Sequence, residues 1–178
     1  VNHLKIRRGH YMGLSLGTII VRIIAERNPR RVESMVLAGA VTQLSVRART
    51  LIKAADMFKY IMPYSFLKRI IAKVIIPQGR YSSSRNLFLH NARKVSFDSF
   101  LSWIRLGEGL NARIAHLFNE YIAIPTLYMM GEDDGLFLPQ VEQAVRSSGD
   151  NTSLVIVPDA GHVCNVDNKS FFNRVSLE

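Results

Sequence analysis

The sequence of 178 residues is poor in features that would mark several common protein classes. It has a single cysteine, Cys164, which excludes an intramolecular disulfide bond and fits a reducing compartment such as the cytoplasm. No uninterrupted apolar run reaches the length of a transmembrane helix, and no signal-peptide pattern is present. No histidines or cysteines have the spacing of a metal site, and no cofactor is expected. The composition is that of a globular chain with one sizeable core.

The charge balance is strongly basic, with 23 Lys and Arg residues against 14 Asp and Glu residues and a net charge of +9. A basic balance can indicate a nucleic-acid partner or an anionic membrane surface. The basic residues are spread as short pairs, such as Arg30-Arg31 and Lys68-Arg69, and no nucleic-acid-binding motif occurs among them. We therefore expect a solvated basic surface, with no nucleic-acid partner and no stable membrane insertion. Binding of a basic helix at residues 64–76 to a membrane surface is a weaker alternative.

One stretch near the start of the chain organises the rest. An apolar segment at residues 9–14 leads into Gly13-Leu14-Ser15-Leu16-Gly17, and apolar residues at helical spacing continue to about Arg27. In a strand–turn–helix context, the G-x-S-x-G pattern is a nucleophile elbow with Ser15 at its apex. The turn is tight, so the residues two before and two after the serine are expected to be small. A buried strand at residues 34–38 follows, which predicts a βαβ unit and a parallel sheet.

The alternation of strands and helices stops between about residues 41 and 123. This block contains no good strand, but helical patterns occur at residues 45–61, 64–76, 87–94, 96–107 and 110–121. The serine-rich residues 80–85 are predicted to be a loop. Because some eighty residues are too many for a simple loop in a compact domain, we expect a helical insertion.

Two later strands are predicted at residues 126–130 and 153–157, and each is followed by a functional group. The first ends at an acidic turn, Glu132-Asp133-Asp134, and the second ends just before His162. A serine nucleophile needs a histidine to accept its proton and a carboxylate to orient the imidazole. In a parallel sheet these groups meet when each lies past the carboxyl end of a strand. Glu132, Asp133 and Asp134 are all candidates for this acid.

These motifs resemble those of the α/β-hydrolase family, in particular its capped esterases and carbon–carbon hydrolases. The resemblance is carried by Gly13-x-Ser15-x-Gly17, by Gly131-x-x-Asp134-x-x-x-x-Pro139 and by Gly161-His162, in the family's order of serine, acid and histidine. It implies a hydrolase core at residues 1–40 and 124–178, with a helical cap inserted at residues 41–123. It also implies a partial α/β-hydrolase fold that contains the carboxyl-terminal half of the sheet.

The resemblance further implies the chemistry of the site. Ser15, Asp134 and His162 are expected to form a catalytic triad, and the backbone N–H of Leu16 is expected to contribute to the oxyanion hole. The family takes a second donor from a loop after an early strand, which this chain lacks. The chain is therefore expected to be an N-terminally truncated fragment, and to be inactive by itself. Apolar walls for a small-molecule substrate are expected from Leu136, Phe137 and Val163.

The expected function is hydrolysis of small, mostly apolar carboxylic esters through an acyl-enzyme. Two alternatives are open: hydrolysis of a carbon–carbon bond or lactone by the same triad, and a non-catalytic receptor that binds a small molecule under its cap. Cys164, two residues after the base, is expected to be a buried apolar residue rather than a nucleophile. The sequence does not indicate an oligomeric state.

Overall fold

A four-stranded parallel sheet forms the centre of the protein, here described by a computed structural model. The structure describes residues 3, 5–46, 49–50, 53–54, 57, 61, 63–77, 79–96, 99, 102 and 111–177. The strands lie side by side in chain order and all pairs are parallel. They are β1 (Gly9–Leu14), β2 (Val32–Ala38), β3 (Thr126–Gly131) and β4 (Thr152–Val157). The predicted α/β class and parallel sheet are confirmed.

The register of the sheet brings the carboxyl ends of its strands to one edge. Leu14 lies opposite Ala38, and Ala38 lies opposite Met129. The central strands β2 and β3 are apolar and closely packed, whereas β1 is the outer strand of the described sheet. The prediction that β1 is buried is wrong, because Met12 is 51% exposed on a strand that, within the described sheet, has a neighbour on one side only.

The helix α1 (Leu16–Arg27) follows β1 directly and packs its apolar face on the sheet. Val21 and Ala25 on this face belong to the main core cluster. The helix ends where the sequence predicts, because Pro29 cannot continue it, and a short 3₁₀ turn at Pro29–Arg31 leads into β2. This βαβ unit places the start of α1 beside the end of β2.

Helices fill the described part of the insertion between β2 and β3. They are α2 (Tyr64–Ile75), α3 (Ser82–Ala92) and a helical segment at residues 111–119. The side chain of Lys68 on α2 donates a hydrogen bond to the carbonyl of Ala92 at the end of α3, at 3.0 Å. The predicted helices at residues 45–61 and 96–107 lie mostly outside the described residues.

The expected loop at residues 80–85 is wrong. A 3₁₀ turn at Gly79–Tyr81 runs directly into α3, whose first turn is the serine run itself. Serine favours the first turns of helices as well as loops, so its local preference does not separate the two. The guanidinium of Arg85 stabilises this start by donating to the carbonyls of Ile76 and Pro77.

Three helices follow the later strands: α4 (Leu138–Arg146), α5 (Cys164–Asp167) and α6 (Lys169–Leu177). The sequence pattern predicts helices at residues 139–148 and 169–177, which correspond to α4 and α6, but it does not predict the single turn α5. Asn168 caps α6, since its Oδ1 accepts a hydrogen bond from the N–H of Phe171 at 3.3 Å. No helix in the described part of the chain is long and apolar enough to cross a membrane.

Candidate active site

The turn that carries Ser15 is strained and firmly held. Ser15 has φ 51° and ψ −120°, a conformation that non-glycine residues rarely adopt. Its N–H donates to the carbonyl of Ala38 at 2.9 Å, which ties the turn to the end of β2. Its carbonyl accepts hydrogen bonds from the N–H of Thr18 at 3.0 Å and from the Thr18 hydroxyl at 2.6 Å. The surrounding bonds therefore fix the serine at the apex of a sharp strand-to-helix turn.

The two glycines of the elbow differ in how much space surrounds them. A Cβ atom on Gly13 would lie 2.6 Å from the carbonyl oxygen of Gly17 and 2.8 Å from the nitrogen of Thr18, so only glycine fits. A Cβ atom on Gly17 would meet nothing within 4 Å. The expectation that both positions must be small therefore holds for Gly13 and is wrong for Gly17 in the structure.

We expect this asymmetry to appear in the stability of two matched variants. Gly13→Ala should lower the free energy of unfolding by about 1–3 kcal/mol, because backbone atoms must move to admit the methyl group. Gly17→Ala should raise it by about 0.5–1 kcal/mol, because alanine restricts the unfolded chain and favours the helix. Urea unfolding of both variants checks the prediction. Equal losses of stability would contradict the described turn.

Ser15, His162 and Asp134 form one chain of hydrogen bonds. The Oγ of Ser15 lies 2.9 Å from Nε2 of His162, and Nδ1 of His162 lies 2.8 Å from Oδ2 of Asp134. An ionised carboxylate can only accept, so Nδ1 carries the proton and the neutral ring accepts the serine hydroxyl at Nε2. His162 and Asp134 are only 5% and 2% exposed. This arrangement can move a proton from Ser15 to His162 beside a buried negative charge.

Glycines at the ends of β2 and β3 allow the loop with His162 to approach this closely. Gly39 has φ 51°, and a Cβ atom there would lie 2.6 Å from the carbonyl oxygen of His162. A Cβ atom on Gly131 would overlap the carbonyl oxygens of Gly161 and Ala160. Larger residues at either position would therefore displace the loop and lengthen the contact with Ser15.

The three acidic residues of the turn lie in three different environments. Asp134 faces His162, and its Oδ1 also accepts the N–H of Phe137 at 3.3 Å near the start of α4. Asp133 turns the other way and contacts Arg80 and Tyr81. Glu132 accepts a hydrogen bond from the N–H of Asp159 at 3.3 Å. The two alternative acids, Asp133 and Glu132, therefore contact the insertion and the turn before His162.

The remaining histidines lie away from Ser15. The position of His10 in the strand before the elbow predicts a packed or hydrogen-bonded core histidine; it is hydrogen-bonded to Ser34 at 2.8 Å, but it is exposed. His116 pairs with Glu120 on an exposed surface, and His3 and His90 are exposed. Within the described part of the chain, no group of acidic, histidine and cysteine side chains is arranged to hold a metal ion.

The three residues expected to form apolar walls are placed differently around the site. Phe137 is buried, and its ring centroid lies 4.8 Å from that of His162. Leu136 is partly buried and packs against the main core cluster. Val163 is partly buried at the start of α5. Of the three, Phe137 therefore has the direct contact with the base, and a substrate-binding role for any of them stays a prediction.

Leu16 is well placed to act as a donor of backbone hydrogen bonds. It is the first residue of α1, and N–H groups in the first turn of a helix have no acceptor within that helix. The positive end of the helix dipole lies at the same point. An oxygen atom that becomes negative next to Ser15 would therefore be stabilised there, and a role in the oxyanion hole stays a prediction.

Cys164 is buried, and its thiol has low reactivity. Its sulfur lies 3.7 Å from the carbonyl oxygen of Met129, and burial, with the nearby charge of Asp134, raises the pKa of its thiol to about 12. The thiolate is the reactive form, so a thiol with this pKa is a poor nucleophile. This agrees with the expectation of a buried small residue.

A measurement of thiol reactivity tests this description. At pH 8 we expect iodoacetamide to modify Cys164 about 10³-fold more slowly in the native protein than in urea, since the pKa rises from 9.0 to about 12. The native state then binds more protons than the unfolded state between these two pKa values. Stability therefore falls as the pH rises above about 9, and less steeply in Cys164→Ala. Rapid modification of the native protein at pH 8 would contradict the burial.

The sequence gives little indication of several residues that support the site. Thr18 is fully buried and bonds the carbonyl of Ser15, and the only local signal is its position three residues after the serine. Tyr81 and Asp167 contact the loops that carry the acid and the base, across 52 and 6 residues of chain respectively. The contact of Tyr81 depends on how the insertion docks, which no local pattern encodes.

A comparison with protein families finds a match to the family described as the alpha/beta hydrolase fold, over residues 1–103. This region is more than half of the chain and includes the turn at Ser15. It ends before Asp134 and His162. No significant match was found among curated protein sequences.

Solved structures with the same fold include three enzymes from bacteria. An esterase from Exiguobacterium antarcticum has a TM-score of 0.81 at 16% identity, over 99% of this chain and 68% of that one. An enol-lactonase from Burkholderia xenovorans has a TM-score of 0.74 at 18% identity, over 99% of this chain and 66% of that one. A meta-cleavage product hydrolase from Pseudomonas fluorescens has a TM-score of 0.71 at 18% identity, over 99% of this chain and 65% of that one. At these identities the likeness shows the fold alone, and the chain spans about two thirds of each relative.

Proposed function

Because the chain belongs to the α/β-hydrolase fold family, we propose that its protein is a serine hydrolase that acts on small, mostly apolar carboxylic esters. The observation that carries the proposal is the hydrogen-bonded chain from Ser15 through His162 to Asp134. Each member follows the carboxyl end of a different parallel strand, where ligands bind in open α/β sheets. The proposal concerns the full-length protein, since this chain spans about two thirds of its structural relatives.

In the proposed mechanism, Ser15 attacks the ester carbonyl while His162 accepts the hydroxyl proton. Asp134 keeps Nδ1 of the ring protonated and stabilises the imidazolium that forms. The N–H of Leu16 donates to the oxyanion of the tetrahedral intermediate. His162 then returns the proton to the leaving alcohol, and water resolves the acyl-enzyme by the same steps in reverse. Burial of His162 and Asp134 strengthens their interaction, because little water screens it.

The substrate class is proposed from the surroundings of the base and from the relatives. The buried ring of Phe137 lies against His162, so the base has apolar surroundings. Among the solved structures of this fold are an esterase, an enol-lactonase and a meta-cleavage product hydrolase. Hydrolysis of a carbon–carbon bond or a lactone by the same triad is therefore a second candidate.

Substrate profiling of the full-length protein separates these candidates. We expect p-nitrophenyl acetate and butyrate to be hydrolysed with saturation kinetics, and a vinylogous diketone to be cleaved slowly or not at all. Faster cleavage of the diketone would favour the carbon–carbon reaction. Tight binding of either compound without turnover would favour a receptor and contradict the proposal.

A further inference from the structure

Three side chains at the junction of the 3₁₀ turn and α3 lie against the two loops that carry Asp134 and His162. We refer to Arg80, Tyr81 and Ser84 as the clamp. They belong to the insertion between β2 and β3, whereas the two loops follow the strands β3 and β4. Tyr81 is 5% exposed and Ser84 is 1% exposed, so the contacts of these two side chains are shielded from water, whereas the side chain of Arg80 is exposed.

Tyr81 spans the two loops with one side chain. Its hydroxyl donates a hydrogen bond to Oδ2 of Asp133 at 2.5 Å. Its ring covers Gly161 so closely that a Cβ atom there would lie 3.1 Å from the ring carbon Cδ2. Asp133 precedes the acid of the triad and Gly161 precedes the base. Tyr81 therefore contacts the residue directly before each of them.

Arg80 and Ser84 join the same loops at further points. Arg80 forms an ion pair with Asp133 and lies 3.6 Å from the carboxylate of Asp159, in the turn that leads to His162. The hydroxyl of Ser84 donates to one oxygen of Asp167.

The other oxygen of Asp167 accepts the N–H of Gly161 at 2.9 Å. Asp167 thus links the insertion to the backbone directly before the base, and its partners on both sides, Ser84 and Gly161, are buried. A shift of either partner would leave a buried polar group without its hydrogen bond, which is costly.

From these contacts we propose that Tyr81 and Asp167 are positioning residues, which hold the acid and base loops at the separation where the bond between Asp134 and His162 forms. Docking of the insertion and assembly of the triad are then coupled events. The inference rests on the proposed function for its kinetic consequence, but the contacts can be tested without it. Triad chemistry is sensitive to this coupling, because displacements of about 1 Å can lower rates about 100-fold.

The coupling predicts a separation of kcat from KM. Tyr81→Phe removes one hydroxyl and keeps the ring, and Asp167→Asn weakens the bond to Gly161 while keeping the shape. Both should lower kcat for a p-nitrophenyl ester about 10-fold to 100-fold, with KM changed less than about twofold. A residue that only contacts substrate would instead raise KM.

The test uses the full-length protein with Tyr81→Phe, Ser84→Ala and Asp167→Asn. Tyr121→Phe, Ser83→Ala and Asp150→Asn serve as matched controls at exposed positions. Hydrogen exchange is measured at the backbone amides of Gly161 and His162 and in α1, and kcat and KM are measured on the same variants. We expect about tenfold faster exchange at Gly161 and His162 in the three variants, unchanged exchange in α1, and no change in the controls.

Each outcome decides the proposal. Unchanged exchange at Gly161 and His162 in Tyr81→Phe and Ser84→Ala would overturn it, and so would faster exchange with kcat unchanged or a rise in KM alone. Faster exchange in α1 as well as in the base loop would indicate general destabilisation and would also overturn it. If the wild-type protein hydrolyses no ester while exchange responds as expected, the proposed function fails and the positioning of the two loops stands.

Discussion

Replacing His162 with alanine is expected to lower kcat for a p-nitrophenyl ester by about 10⁴-fold, with little change in KM. No other described side chain lies within hydrogen-bond distance of Oγ of Ser15, so the hydroxyl would lose its proton acceptor. A free serine hydroxyl is a weak nucleophile at neutral pH. Substrate binding does not require the imidazole, and for this reason the loss should appear in kcat.

Steady-state kinetics of the full-length protein check this result. His90→Ala is a matched control, since His90 is an exposed histidine on α3 that does not contact Ser15. The variant with both Ser15→Ala and His162→Ala should be no slower than either single variant, because residues that act as a unit are not additive. Retention of more than about a tenth of the wild-type kcat in His162→Ala would show that another group accepts the proton.

The second large effect is expected from Asp134→Asn, which should lower kcat by about 10³-fold to 10⁴-fold. The amide keeps the size of the side chain but can donate a hydrogen bond to Nδ1. The ring would then carry its proton on Nε2 and could no longer accept one from Ser15. The same change at Asp133 removes a charge beside Arg80 and Tyr81 but removes neither partner of the bond between Asp134 and His162.

Comparison of the two variants identifies the acid directly. We expect Asp133→Asn to lower kcat about 10-fold to 100-fold, because it weakens the contact of the clamp with the acid loop. This loss is smaller than the one expected for Asp134→Asn. The pH dependence of kcat/KM in both variants shows whether the base still titrates as in the wild type. A larger loss for Asp133→Asn than for Asp134→Asn would contradict the assignment of Asp134.

Much of the fold can be predicted because its signals are local. The residues Pro29, Gly39 and Gly131 mark element ends, and between them the period of apolar residues distinguishes strands from helices. The strand ends at Leu14 and Val157 are therefore placed correctly. The same logic brings serine, acid and histidine to one edge of the sheet before any contact is known.

The rest depends on contacts between distant parts of the chain. Nothing within a few residues of Tyr81 indicates that its hydroxyl bonds Asp133, 52 residues later. The serine run at the start of α3 gives no indication that Ser84 is buried against Asp167. The space beside Gly17 likewise depends on what lies next to α1, not on the motif.

The central claim, that Ser15 is an activated nucleophile, is tested most directly by covalent labelling of the full-length protein. A fluorophosphonate should add to the tryptic peptide of residues 9–22, with the modification on Ser15, and the addition should be absent in Ser15→Ala. Labelling should be slower by orders of magnitude in His162→Ala, whereas His90→Ala should react like the wild type. A folded wild-type protein that remains unlabelled, or that is labelled equally in Ser15→Ala, would contradict the account.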